Sequence, residues 1–169
     1  ECEVAQSEAA TGKPFARYWL HNNMVTVNGI KMGKSLGNAI YLKDLFKRYS
    51  PMTVRFFILS SHYRSNLDFS DQALSAAEKG LERLYGAVSL LGKRLAQVVT
   101  TSVVDKNWTT KLADYKAQFL AAMDDDFNTA AAIGVLFDLT REVNILLNSE
   151  EEVSHETLAA IEGLYRELG

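Results

Sequence analysis

The feature that most constrains this chain is a double apolar ladder between residues 71 and 98. Leu74, Leu81, Val88 and Leu95 recur every seven residues, and Ala77, Leu84, Leu91 and Val98 form a second file beside them. On an α-helix, positions three and four apart share a face, so these eight side chains make one continuous stripe. A stripe of that length must be covered by other helices, and it predicts a bundle seam and not a ligand pocket. Ser70 stands where an N-cap belongs, and the helix is expected over about 71–98. A second stripe follows in Leu112, Tyr115, Phe119 and Met123, after a mostly polar connection over Thr100–Thr110. A third runs through Ile133, Leu136, Phe137, Thr140, Val143 and Leu147, and Ser154 opens a fourth carrying Leu158, Ile161, Tyr165 and Leu168. The expected fold class is mainly α: an up-and-down helical bundle preceded by a small α/β remnant with a β-hairpin and a lysine loop.

That remnant reads differently. Residues 1–11 are expected to be helical, with Gly12 and Pro14 ending the segment. Phe15–Leu20 is aromatic and apolar and reads as a buried strand. Met24–Val27 and Ile30–Met32 flank Asn28-Gly29, a pair that favours a two-residue type I′ turn because both residues accept positive φ. Tyr41–Tyr49 is expected as an amphipathic helix with Leu42, Leu45 and Phe46 inward. Ser50-Pro51 then starts another helix, buried through Val54, Phe57 and Ile58. Asp124-Asp125-Asp126 is read as charge gathered at a helix N-terminus and not as a metal cluster. His21 is more readily a structural histidine than a catalytic one, since no acid or nucleophile lies near it in sequence.

The chemistry concentrates in Lys31-Met32-Gly33-Lys34-Ser35-Leu36-Gly37-Asn38. Two cations on a glycine-containing loop, with free backbone N–H groups, suit a polyphosphate whose charge shifts during reaction. Gly33-Lys34-Ser35 matches the end of a P-loop, but that motif requires glycine at position 28, which is Asn28, so a P-loop is excluded. Charge is divided unevenly. Residues 1–64 hold nine Lys/Arg against four Asp/Glu, whereas residues 65–169 hold nine against seventeen. The basic part suits ATP and a nucleic-acid backbone, while the acidic helical part argues against a general nucleic-acid coat. No apolar run is long enough to span a membrane, and a single cysteine excludes an internal disulfide framework and fits a reducing, cytoplasmic setting.

The octamer resembles the Lys-Met-Ser-Lys-Ser loop of class I aminoacyl-tRNA synthetases, with Gly33 in place of the first serine. Glu3-Val4-Ala5-Gln6-Ser7-Glu8, Tyr18-Trp19-Leu20-His21, His62-Tyr63-Arg64-Ser65 and Met123-Asp124-Asp125-Asp126-Phe127-Asn128-Thr129 extend the resemblance to the cysteinyl-tRNA synthetase family, in that family's order. It implies three regions: residues 1–38 as the end of the catalytic domain, 39–69 as stem-contact helices, and 70–169 as a truncated anticodon-binding bundle. It implies activation of cysteine by ATP with Mg, then transfer to tRNA. Lys34 and Lys31 would be catalytic on the ATP phosphates, with Gly33 and Ser35 shaping the loop. Glu3 would be one zinc ligand of a longer parent, its partners lying outside this chain. Lys43, Lys47, Arg48, Arg55 and Arg64 are candidate tRNA contacts. The segment alone is expected to be inactive and cut at both ends. Two other readings stay open: a related cysteine ligase of mycothiol synthesis, and a non-enzymatic helical module that binds RNA or protein.

Overall fold

The computed structural model describes residues 1–98, 104–149 and 153–169. Helix α1 (Cys2–Thr11) stops at Gly12, whose left-handed conformation lets its N–H reach the Glu8 carbonyl at 2.8 Å. Strands β1 (Val25–Val27) and β2 (Ile30–Lys31) form the expected hairpin. Asn28 and Gly29 both take positive φ, 51° and 77°, the combination a type I′ turn requires. Beyond β2, a 3-10 turn covers Lys34–Leu36, followed by α2 (Leu42–Leu45) and α3 (Pro51–Leu59). Ser50 caps α3 as expected, its Oγ accepting from the Thr53 N–H at 3.0 Å.

Strand β3 (Leu67–Phe69) was not expected. It runs parallel to β1 and makes β1 the centre of a three-stranded sheet ordered β2-β1-β3. Asp68 on β3 ties this sheet to the hairpin turn. Its Oδ1 accepts from Thr26 Oγ1 at 2.6 Å and from the Gly29 N–H at 2.7 Å, and those two bonds hold its pKa below the ordinary aspartate range.

Four long helices complete the chain: α4 (Asp71–Gln97), α5 (Lys106–Asp124), α6 (Thr129–Asn148) and α7 (His155–Leu168). Ser70 and Ser154 cap α4 and α7 through the N–H groups of Ala73 and Thr157. In the bundle, α4 and α5 each pack against both α6 and α7. Its core gathers Leu91, Trp108, Leu139, Val143, Leu158 and Ile161, and Thr140 shares a buried hydroxyl hydrogen bond of 2.8 Å with Tyr165. A second core lies under the sheet, where Leu45, Val54, Phe57 and Phe69 meet Leu74 and Ala77. Helix α4 contributes to both cores, so the heptad stripe serves two different partners along its length. The two cores meet at Gly80, above which the rings of Phe56 and Phe137 stand edge to face at 6.2 Å.

Several expectations are corrected. Phe15–Leu20 forms no strand, and Phe15, Trp19 and Leu20 are about half exposed. A strand needs a neighbour to take its backbone hydrogen bonds, and the described sheet consists of β2, β1 and β3 without this segment. The aromatic rings pair with one another instead, Phe15 with Trp19 at 5.5 Å and Trp19 with His21 at 6.2 Å. Helix α2 is one turn long, so of its expected inward residues only Leu45 is buried, while Leu42 and Phe46 face outward. Ile58 is exposed and lines the cleft beside the sheet instead of the core. The expected connection over Thr100–Thr110 is shorter in structure, because α5 begins at Lys106 with Asp105 as its cap; residues 99–103 lie outside the described residues.

The aspartate triplet sits at the opposite end of a helix from the one expected. Asp124 is the last residue of α5, Asp125 is its C-cap, and Asn128 caps α6 by accepting from the Ala131 N–H at 3.1 Å. The chain keeps folding back on α5 here. The N–H of Phe127 reaches the Met123 carbonyl and that of Asn128 the Ala122 carbonyl, both at 3.1 Å, satisfying carbonyls that the helix end leaves open. The turn places Asp126 and Phe127 at φ of 53° and 55°.

Candidate functional site

The lysine octamer starts where the sheet stops. The Met32 N–H donates to the Val25 carbonyl at 3.1 Å, and beyond it the hairpin ladder ends. The chain then turns through Gly33, whose carbonyl accepts from the Leu36 N–H, and through Lys34, whose carbonyl accepts from the Gly37 N–H. Gly37 closes the 3-10 turn at φ 67°, a conformation that favours glycine. Lys31, Lys34 and Ser35 are exposed, and neither lysine has a carboxylate within ion-pair distance among the described residues. Two ammonium groups are thus presented to solvent by a turned, hydrogen-bonded loop rather than by a slack one.

Gly33 is not demanded by its backbone. Its φ of −162° and ψ of 143° are extended values open to any residue, and an added Cβ would meet nothing nearer than Leu36 Cδ1 at 3.8 Å. Asn38 closes the mouth of the loop, its side chain bonded to the backbone at both Lys31 and Gly33. The sequence placed Asn38 in the motif without giving it a task, and Asp68 went unremarked. An aspartate between two apolar residues, just before the Ser70 cap, was the available signal for the latter.

Behind the loop, an apolar cleft of about 500 Å³ lies between the sheet and helices α2 and α3, lined among others by Leu20, Val25, Met32, Ile40, Leu45 and Ile58. Its rim carries His62, Tyr63 and Phe127. At this rim Asp126 receives the Tyr63 hydroxyl at 2.6 Å and Arg64 Nε at 2.6 Å, with Arg64 Nη2 at 3.3 Å. The Arg64 and Tyr63 bonds hold the Asp126 pKa below the ordinary aspartate range. His62 stacks on Tyr63 at 4.9 Å, its Nε2 4.0 Å from Asp126.

The five candidate RNA-contacting cations divide. Lys47 pairs with Asp44 at 2.8 Å, Arg48 with Asp71 at 3.0 Å, and Arg64 with Asp126, while Lys43 and Arg55 have no such partner among the described residues. Glu3 is exposed in the first turn of α1 beside exposed Cys2. A zinc site needs three or four donors, and among the described residues no group of three His, Cys, Asp or Glu side chains comes together. The donors among the described residues do not complete such a site. No helix among the described residues is long and apolar enough to cross a membrane.

Comparison with known proteins gives this geometry its context. Residues 1–79 match the family described as tRNA synthetases class I (C) catalytic domain, and residues 118–169 match the DALR domain. A solved ternary complex, Agrobacterium radiobacter K84 agnB2 LeuRS-tRNA-LeuAMS, shares the fold over 88% of this chain and 20% of that one, with a TM-score of 0.67 at 22% identity. The two family matches place the chain among the class I aminoacyl-tRNA synthetases. Cysteine–tRNA ligase of Shouchella clausii is 48% identical over the whole chain, and that of Chlorobium chlorochromatii 52% identical over 96% of it. The chain belongs to the cysteinyl-tRNA synthetase family. It spans about a third of the length of these two relatives, 36% and 32% respectively.

Proposed function

We propose that this chain supplies the lysine loop and the tRNA-facing helices of a cysteine–tRNA ligase, with residues 1–38 closing the catalytic domain, 39–69 forming the stem-contact helices and 70–169 the anticodon-binding bundle. In that reaction a cysteine carboxylate oxygen attacks the α-phosphorus of ATP, and the bond to the departing pyrophosphate breaks. A ribose hydroxyl of the tRNA then attacks the adenylate carbonyl, and AMP leaves. Negative charge accumulates on the pyrophosphate as it departs. Lys34 is the residue set against that charge and Lys31 is the second cation, with Gly33 and Ser35 shaping the turn between them. Mg accompanies the ATP as its counter-ion. In the whole enzyme, zinc would favour a substrate thiolate over a hydroxyl, with Glu3 as one oxygen donor. Lys43 and Arg55, uncommitted to carboxylates, are the cations most available to tRNA phosphates, and Lys47, Arg48 and Arg64 would first have to exchange partners. The cytoplasm is the compartment that tRNA charging and a single free cysteine both suit.

The observation that carries this reading is a pair of exposed lysines, without a carboxylate partner among the described residues, on a loop held in a fixed turn. Such preorganised charge acts mainly on the transition state, and losing one contact of this kind costs about 3–4 kcal/mol. The test is cysteine-dependent exchange of pyrophosphate into ATP by the full-length protein carrying these residues. Lys34→Ala is expected to lower exchange about a hundredfold or more. A wild-type protein without exchange would leave only a helical binding module.

A further inference from the structure

The geometry points to Asn38 as a positioning residue that fixes where Lys34 stands; this inference rests on the proposed role of that lysine. Asn38 is half-buried at the base of the loop. Its Oδ1 accepts from the Gly33 N–H at 2.9 Å, and its Nδ2 donates to the Lys31 carbonyl at 3.1 Å. The orientation of the amide is not arbitrary, because the backbone at Gly33 offers only a donor and that at Lys31 only an acceptor.

Lys31 faces Thr26 in the ladder with its carbonyl left to the outer edge of β2, and Gly33 follows the last ladder bond at Met32. Among the described residues no further strand flanks β2, so the side chain of Asn38 serves both groups. One planar amide therefore spans the two-residue step from Lys31 to Gly33, and Lys34 follows directly. A weaker tie is the Ile40 N–H, which reaches Met32 Sδ at 3.5 Å. Inside the loop, the bonds from Leu36 to Gly33 and from Gly37 to Lys34 shape the turn but do not anchor it to the sheet. Asn38 supplies that anchor. Without it, Gly33 could swing about its extended backbone and carry Lys34 with it, so the charge would have to be repositioned in each turnover. An electrostatic contribution that depends on preorganisation falls when the supporting residue is lost, even though the cation remains.

The test uses the full-length protein with Asn38→Ala, Asn38→Asp, Lys34→Ala and the Asn38→Ala/Lys34→Ala double variant. Two readouts are taken: pyrophosphate exchange, and hydrogen exchange in peptides covering residues 31–37. Asn38→Ala is expected to lower kcat about tenfold or more with KM for cysteine within twofold, and to speed hydrogen exchange over 31–37 while the melting temperature holds. Asn38→Asp keeps the acceptor for Gly33 but loses the donor to Lys31, and should fall between wild type and Asn38→Ala in both readouts. In the Lys34→Ala background, removing Asn38 should change kcat by less than twofold. An Asn38→Ala enzyme with wild-type kcat overturns the inference, as does an equal effect with and without Lys34, or unchanged hydrogen exchange over 31–37. If instead Lys34→Ala alone is silent, the functional reading fails, and the hydrogen-exchange arm still decides whether Asn38 anchors the loop.

Discussion

Gly33 stands where the resembling loop carries serine, and its surroundings decide what that replacement means. The backbone there is extended and the space beside it open. Gly33→Ser should therefore fold normally, with stability changed by no more than about 0.5 kcal/mol, as for surface substitutions away from special features. Thermal unfolding with bound and free ATP separates the two possible consequences: an unchanged apo melting temperature with a larger ATP-induced rise means the hydroxyl adds a ligand contact. The lysines themselves were legible in the sequence because spacing and composition mark them directly. Asn38 and Asp68 were not, since their importance lies in which backbone N–H they meet, and that depends on where strands end and pair.

Among the elements, those set by local chemistry were readable. Ser50, Ser70 and Ser154 each cap a helix through the N–H three residues on, and Asn28-Gly29 makes the turn its residue types favour. What failed depended on distant partners. β3 pairs with a strand some forty residues earlier, as Val25 facing Leu67 illustrates, and Phe15–Leu20 has an apolar strand composition but no neighbour to complete it. Helix α4 invites a direct test of packing. An added methyl at Gly80 would come within 3.1 Å of Phe56 and 3.4 Å of Phe137, whereas at Gly86 it would meet nothing within 4 Å. Gly86→Ala should stabilise the protein by about 0.5–1 kcal/mol through helix propensity. Gly80→Ala should lose that gain to the crowded rings, and Gly80→Val should cost about 1–3 kcal/mol through overpacking. Urea unfolding of the three variants orders them.

Across the whole molecule, the sheet-bearing part and the bundle share α4, and two side-chain contacts beyond it help to fasten their joint. One is the Phe56–Phe137 contact over Gly80, and the other is the cluster of Tyr63, Arg64 and Asp126. The second responds to pH. Because Asp126 has its pKa depressed in the folded protein, its contribution is fully present above the ordinary aspartate pKa and is lost as pH falls through the folded value. Asp126→Asn should therefore melt below wild type near neutral pH, and the gap should narrow on acidification to about pH 3 and below. A gap independent of pH would mean that the carboxylate charge contributes nothing at this surface position. In the sequence Asp126 reads as charge at a helix N-terminus, since nothing local shows that residues 64 and 126 touch.

Asp68 has a mechanical consequence. Its carboxylate is bolted to the tip of the hairpin, and two residues later Ser70 begins α4. The hairpin turn that leads into the lysine loop is in this way joined to the near end of a helix of 27 residues, about 40 Å long at 1.5 Å per residue. A tilt of only about 5° over that length displaces one end by roughly 3.5 Å relative to the other. A displacement of the bundle that tilts α4 would thus reach, through Asp68, the turn that leads into the strand carrying Lys31.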